Sequence, residues 1–149
     1  MSINPKLFTA YVNEDLTKAE EIARENSNVQ ISTVHLLKSM LREDSGFPSL
    51  VFQKAGVHVD TLKRKVDEAV KKLPKQSPVP DELYMSGGMS KILRVAQDNA
   101  AAQKDSRVAQ DHILSALFSD TNLTSILEGV GLTKKKLDDA IKEKRGNAS

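Results

Sequence analysis

Cysteine and tryptophan are both absent from this chain of 149 residues, and aromatic residues make up only 4% of it. Without cysteine the chain can form neither disulfides nor thiolate metal sites. Proteins that bind single-stranded nucleic acid stack its bases on aromatic side chains, and this chain has too few of them for such a surface. The composition therefore excludes a disulfide scaffold and a cysteine-ligated metal centre, and it agrees with a reducing compartment such as the cytoplasm.

Long apolar runs and an excess of one charge are missing as well. No stretch approaches the roughly 20 apolar residues that cross a bilayer, and the first residues lack the basic and apolar regions of an export signal. The 22 Lys and Arg against 20 Asp and Glu leave a net charge of +2. This excess is too small for the basic surface that is typical of nucleic-acid-binding domains. The basic cluster Lys134–Lys136 is interpreted as the polar face of an amphipathic helix. A helical nucleic-acid binder is the alternative interpretation of this cluster.

The sequence repeats itself. Shifted by about 77 places, the segment 34–41 overlays the segment 111–118, and His35 coincides with His112. Both segments place a histidine ahead of apolar residues at helical spacing, and further apolar matches follow in the same order. The chain therefore predicts two copies of one helical unit.

The predicted fold is all-α, with two tandem pseudo-symmetric four-helix repeats packed as one eight-helix bundle. Repeat one covers about residues 5–72 and repeat two about 89–145, within a single domain spanning 1–149. The stretch 73–88 is rich in proline and glycine, which interrupt helices, so it is expected to connect the repeats. Residues 146–149 are expected to begin a linker.

A groove is expected where the repeats meet. Asn4 and Pro5 suit the start of the first helix as cap and first residue, and its copy in repeat two is expected to start at Ser90. A pseudo-twofold axis would bring these two helices face to face along a groove. Grooves between helices commonly take apolar segments of partners, so the pattern favours a helical binding module.

Catalytic and metal-binding patterns are not found. The repeat relates His35 to His112, so each is expected at the start of its own buried helix, hydrogen-bonded to nearby groups and not to a shared metal. Adjacent acids such as Asp138 and Asp139 point about 100° apart on a helix, a poor geometry for acid–base catalysis. Neither a nucleophile elbow nor a phosphate-binding loop occurs. We predict no catalytic residue, metal or cofactor.

Three stretches together carry a family resemblance: the His-Leu-Leu and His-Ile-Leu helix starts, the connector 73–80, and the closing Arg145–Asn147. In this order and spacing they resemble the N-terminal (Clp-N) domain of Clp-type AAA+ unfoldases. The run from Gln103 to Leu114 is similar to ClpB-like disaggregases, and most like their fungal cytosolic heat-shock members. The resemblance extends from Phe8 to Asn147.

The resemblance implies the mobile front domain of an ATP-dependent protein disaggregase. The two ATPase modules, which use ATP, are absent from this chain, so the domain itself is expected to be no enzyme and to need no cofactor. Its implied partners are unfolded or aggregated polypeptides, with co-chaperones in addition, and neither nucleic acid nor membrane. A monomeric isolated domain, a homohexameric full-length protein and a cytoplasmic or nuclear location are also implied.

A shallow client-binding groove with a polar rim is implied too. The matching positions are Thr9, Val95, Asn99, Asp105, Asp111 and His112. Thr9, Asp105 and Asp111 would form the rim and Val95 an apolar wall. The other two stand where bacterial members carry larger apolar residues, which implies a more polar groove. For Thr9 and Asp111 a plain role at a helix N-terminus, as cap or nearby acid, stays open.

An adaptor-docking domain is the alternative within the same fold. Protease-linked Clp proteins use such a domain to recognise one dedicated, folded partner. The closer likeness to the disaggregases favours client binding.

Overall fold

The computed structural model describes residues 3–148, which form eight α-helices in two successive sets of four. The helices are α1 (Ala10–Glu25), α2 (Thr33–Met40), α3 (Phe47–Lys54), α4 (Val59–Lys71), α5 (Gly87–Ala102), α6 (Gln110–Ala116), α7 (Thr121–Gly129) and α8 (Lys134–Ala148). Short 3-10 helices occur at Pro5–Leu7 and Leu117–Ser119, and two strands of two residues each are β1 (Gln30–Ile31) and β2 (Tyr84–Met85). The predicted all-α fold of two four-helix repeats is confirmed.

The two sets are structural copies. α1 and α5 each have 16 residues, and their first residues lie 77 positions apart, as do those of α2 and α6. Both long helices are N-capped by a hydroxyl group. Thr9 Oγ1 accepts a hydrogen bond from the backbone N–H of Val12 over 3.4 Å, and Ser86 Oγ accepts one from that of Met89 over 3.2 Å. The caps satisfy backbone donors that a helix end otherwise leaves unpaired.

Short extended segments join the repeats reciprocally. β1 in repeat one pairs in parallel with β2, just before α5, and Ile31 lies opposite Met85. Equivalently, the segment before α1 pairs in parallel with the segment before α6, and Phe8 lies opposite Val108. The 77-residue shift converts either pair into the other. Each repeat thus offers the same two edges to its copy, as in a two-fold isologous interface.

One hydrophobic core runs through both repeats. Leu36 and Leu37 in α2, and Ile113 and Leu114 in α6, are fully buried. Across the boundary α2 packs against α5 and α7, α3 against α6 and α8, and α4 against α7. Because the apolar packing is continuous between the repeats, they form one domain. Among residues 3–148, no helix is long and apolar enough to span a membrane.

A buried polar contact also crosses the repeat boundary. Asp120 accepts a hydrogen bond from the backbone N–H of Leu123, capping α7, and another from Thr33 Oγ1 in α2, each over 2.9 Å. Gly88 lies so close that an added Cβ would overlap Asp120 Oδ1. The lack of a side chain at Gly88 is therefore what allows α5 to approach this contact.

Two helix starts differ from the prediction. Asn4 caps only the short 3-10 helix, where Oδ1 accepts from the backbone N–H of Lys6 over 3.0 Å. α1 begins later, after the Thr9 cap. α5 begins at Gly87 and not at Ser90, because the cap before it offsets the cost of glycine in the first turn.

The connector has little regular structure, whereas the last helix is longer than predicted. The connector 73–88 contains only the two-residue strand β2 before α5 begins at its last two residues. Repeat two was expected to end near residue 145 and a linker to follow, but α8 continues to Ala148. Ser149, the last residue of the expected linker start, lies outside the described residues.

Candidate functional site

His35 and His112 occupy equivalent places and use the same ring nitrogen in the same way. Nδ1 of His35 accepts a hydrogen bond from the backbone N–H of Ser32 over 2.9 Å, and Nδ1 of His112 accepts one from that of Ala109 over 2.8 Å. Because Nδ1 is an acceptor, the neutral ring carries its proton on Nε2. Each histidine thus caps its own buried helix, as predicted.

The other ring nitrogens distinguish the repeats. Nε2 of His35 lies 2.8 Å from Asn28 Oδ1, whereas Nε2 of His112 lies 2.7 Å from Asp105 Oδ2. Burial lowers the pKa of His35 to about 4, because the buried ring resists charging. In repeat two the hydrogen bond from His112 is the largest cause of a lowered pKa at Asp105. Repeat one therefore has a neutral pair where repeat two has a carboxylate.

Arg145 in α8 joins the two predicted rim acids. Its Nη2 lies 2.6 Å from Asp105 Oδ2, and its Nη1 lies 3.3 Å from Asp111 Oδ2. The side chain of Asp105 is 31% exposed, whereas that of Asp111 is only 9% exposed. Both acids are therefore already ion-paired, and the guanidinium must move before a cation from outside can take its place.

Asn99 and Val95 lie on α5 behind this pair of acids. Asn99 Nδ2 donates to the backbone oxygen of His112 over 3.3 Å, which ties α5 to α6. Val95 is partly buried against the core. The structure thus brings Asn99, Asp105, Asp111 and His112 into one bonded cluster.

Thr9 joins the cluster only indirectly. Its backbone N–H donates to the carbonyl oxygen of Val108 over 3.0 Å, and Val108 N–H donates to that of Leu7 over 2.8 Å. The segment 7–9 therefore runs beside the loop that leads from Asp105 to α6. Its hydroxyl group is half-buried and caps α1.

A shallow cleft, here called the α5 cleft, opens between the N-terminal segment 3–8 and α5. It has a volume of about 250 Å³. Its lining includes Ile3, Leu7, Met85, Leu93, Arg94 and Gln97. Leu7 is 42% exposed. The groove was expected between the first helix and α5, but its wall opposite α5 is the N-terminal segment. None of the six predicted site residues lines it.

A second cleft, here called the Tyr11 cleft, lies where α1, the α2–α3 loop and the start of α6 meet. Its volume is about 310 Å³, and its lining includes Tyr11, Glu14, Asp15, Arg42, Glu43, Phe47 and Gln110. Tyr11 is 70% exposed. Gln110 precedes Asp111, so this cleft lies next to the predicted rim.

Asp15 is a buried charge that the sequence analysis missed. Its Oδ1 lies 2.6 Å from Arg42 Nη1, and its Oδ2 accepts from Gln110 Nε2 of repeat two over 2.9 Å. Burial raises the pKa of Asp15, although both hydrogen bonds oppose this. The available signal was its position three residues after Val12, on the apolar stripe of α1.

Two of the three lysines in the α8 cluster are paired with acids on the same helix. Lys134 Nζ lies 2.6 Å from Asp138 Oδ2, and Lys135 Nζ lies 2.8 Å from Asp139 Oδ2. Such pairs four residues apart are typical of a solvated helix face.

Comparison with known proteins gives a family and close relatives. The family model described as the Clp repeat (R) N-terminal domain matches residues 7–130. Heat shock protein 104 of Schizosaccharomyces pombe is 32% identical over 144 residues, which are 94% of this chain and 16% of that protein. The chaperone protein ClpB of Rickettsia bellii is 33% identical over 145 residues, which are 96% of this chain and 17% of that protein. The chain thus spans a small part of these relatives' length.

Solved structures agree with this result. The crystal structure of the Hsp104 N-terminal domain from Candida albicans superposes with a TM-score of 0.85 at 29% identity, covering 93% of this chain and 91% of that one. A ClpV N-domain in complex with a VipB peptide shares the fold, with a TM-score of 0.68 at 19% identity and coverage of 93% and 89%. With its doubled four-helix architecture and the family model matching residues 7–130, the chain belongs to the Clp repeat (R) N-terminal domain family, and it is similar to the N-terminal regions of Hsp104 and ClpB chaperones.

Proposed function

We propose that this domain binds exposed apolar segments of unfolded or aggregated polypeptides at the shallow surface between its repeats. The ATPase modules that would receive these clients lie outside this chain. The observation that carries the proposal is the α5 cleft, where Leu7 from repeat one is 42% exposed beside Leu93 and Met85. A side chain of this size and exposure at the meeting line of two repeats offers apolar contact to a loose chain.

The shape of the surface suits clients of many sequences. A site that must accept and release diverse segments gains from small contact area and fast dissociation. The α5 cleft is open and combines apolar side chains with Arg94 and Gln97, so it can accept a peptide backbone as well as an apolar side chain. A deep, selective pocket would serve such a task poorly.

The predicted rim residues do not line the α5 cleft, but they lie on or beside the segment that does. Thr9 follows Leu7 on the same segment, and Asp105 and Asp111 lie along the loop and helix that this segment touches through Val108. We infer that they contribute polar contacts at the edge, with Arg145 as a competing partner for the two acids.

Affinity for a permanently unfolded, fluorescently labelled protein tests the proposal. The Leu7→Ser variant should bind several-fold more weakly, because an exposed apolar contact is lost. Ile126→Ser on α7 is the control for the loss of an apolar side chain elsewhere, since Ile126 packs against the core and lines neither cleft. Equal affinity of the Leu7→Ser variant and the native chain would contradict the proposal.

A dedicated folded partner is the competing outcome. The domain would then bind one folded protein tightly and leave unfolded proteins alone. Titrating both kinds of ligand against the same labelled domain separates the two functions.

A further inference from the structure

The Tyr11 cleft differs in chemistry from the α5 cleft, because it combines aromatic and acidic side chains. Tyr11 is 70% exposed, and Phe47 lines the cleft from the start of α3. The side chain of Glu14 is 54% exposed, and Glu43 is exposed on the α2–α3 loop. An aromatic face beside carboxylates is a favourable environment for a cation.

Among residues 3–148, the one basic residue that lines the Tyr11 cleft is already paired with acids. Arg42 Nη1 lies 2.6 Å from Asp15 Oδ1, and Arg42 Nη2 lies 3.2 Å from Glu14 Oε1. Arg42 also donates to the backbone oxygen of Ser39 over 2.8 Å. Against this single guanidinium the cleft carries the carboxyl groups of Glu14, Asp15 and Glu43. Its rim is therefore negative.

We propose that the Tyr11 cleft binds a lysine or arginine side chain of an unfolded client, next to an apolar residue of the same segment. The cation would lie against the ring of Tyr11 beside the carboxylate of Glu43. Glu14, whose Oε1 lies 3.2 Å from Arg42 Nη2, would then be shared between this cation and Arg42. The alkyl stem of the client side chain would pack on Phe47, as long basic side chains do on apolar surfaces.

The position of the cleft connects this inference with the α5 cleft. Leu7 lines the α5 cleft and Tyr11 lines the other, with Thr9 between them on one continuous segment. An extended client that follows this segment would contact both clefts. The inference rests on the proposed function and adds a preference to it, since segments that combine apolar and basic residues should bind better than purely apolar ones.

Two short unstructured peptides test the inference. One carries leucines and a central arginine, and its twin has glutamine in place of the arginine. By fluorescence anisotropy at low salt, the arginine peptide should bind the native domain about five-fold more tightly, as expected for an exposed cation–π contact and ion pair together. The advantage should shrink at high salt, which screens exposed charges.

Variants then locate the preference. The double variant Glu14→Gln with Glu43→Gln should lose the advantage of the arginine peptide, and Tyr11→Ala should reduce it. The controls should retain it: Glu21→Gln, whose side chain is 51% exposed, and Tyr84→Ala, whose residue is 67% exposed.

The possible results separate this inference from the proposed function. Equal binding of the two peptides to the native domain would overturn the inference and leave the proposed function standing. An arginine advantage that survives the double variant would also overturn it, because the cation would then be recognised elsewhere. Binding of neither peptide would overturn both.

Discussion

Thr9 donates its backbone N–H to the carbonyl oxygen of Val108 over 3.0 Å, which ties the start of α1 to the segment that leads into α6. The 77-residue shift turns this contact into that of Ser86 with Ile31, which spans 2.9 Å. Each repeat is thus hydrogen-bonded to the other through an equivalent backbone contact. The two contacts also place the segment 7–11 on the surface where both repeats meet.

The duplicated hydroxyl caps give the first prediction. Thr9→Ala and Ser86→Ala should each lower the free energy of unfolding by about 1 kcal/mol, because each removes an N-cap acceptor. Urea denaturation measures both losses. If Thr9 also belongs to the client surface, only Thr9→Ala should weaken binding of an unfolded protein. A loss of binding that is equal in both variants would assign the effect to folding instead.

The pH dependence of stability should report His35. Its pKa in the folded protein is lowered to about 4 from 6.5, so between these values the unfolded chain binds a proton that the folded chain does not. The free energy of unfolding should therefore fall as the pH falls from about 6.5 to 4, by up to about 3 kcal/mol from this group.

His35→Gln is the variant that isolates this effect. Glutamine at the third position of a helix can still accept from the backbone N–H of Ser32, as in a capping box, but it does not titrate. The variant should lose that part of the pH slope. An unchanged slope between pH 4 and 6.5 would show that His35 does not cause it.

Gly88 and Gly87 offer a matched pair of substitutions. Gly88→Ala should destabilise by about 2 kcal/mol or more, since the new Cβ overlaps Asp120 Oδ1 and disturbs its bond with Thr33. Gly87→Ala should be nearly neutral, because a Cβ there meets nothing within 4 Å. Thermal unfolding compares the two, and similar melting temperatures would rule out the close approach.

The histidine partners can be exchanged between repeats. Asp105→Asn should cost little stability, because the equivalent Asn28 already serves His35 in this way and the lost ion pair with Arg145 is part-exposed. The reverse change, Asn28→Asp, should be costly. Asn28 is 1% exposed, so a carboxylate there loses its hydration without gaining an arginine like Arg145. Chemical denaturation of the two variants measures the asymmetry, and equal losses would contradict it.

Much of the fold could be predicted from local signals. The two histidine-led helix starts and the matching apolar stripes define the duplication within the sequence itself. The reciprocal strand pairs could not be predicted, because Gln30–Ile31 and Tyr84–Met85 are too short to show a pattern and their pairing is non-local. The start of α5 was placed too late, since adjacent glycines normally indicate a break in a helix.

Only part of the candidate site could be predicted from the sequence. The family resemblance named Asp105 and Asp111, and these lie together in the structure, but their partner Arg145 is 40 residues away from Asp105 in the chain. Asp15 depends on Arg42 and on Gln110 of the other repeat, contacts that no local pattern encodes. The partners of such charged groups can be identified only from the tertiary structure.

Residue-resolved NMR of the isotopically labelled domain, titrated with a permanently unfolded protein, tests client binding between the repeats most directly. Chemical-shift changes should concentrate at Leu7, Thr9, Tyr11 and Leu93, and leave the far ends of α4 and α7 unchanged. Changes confined to other surfaces, or none at saturating concentrations of the unfolded protein, would contradict the account.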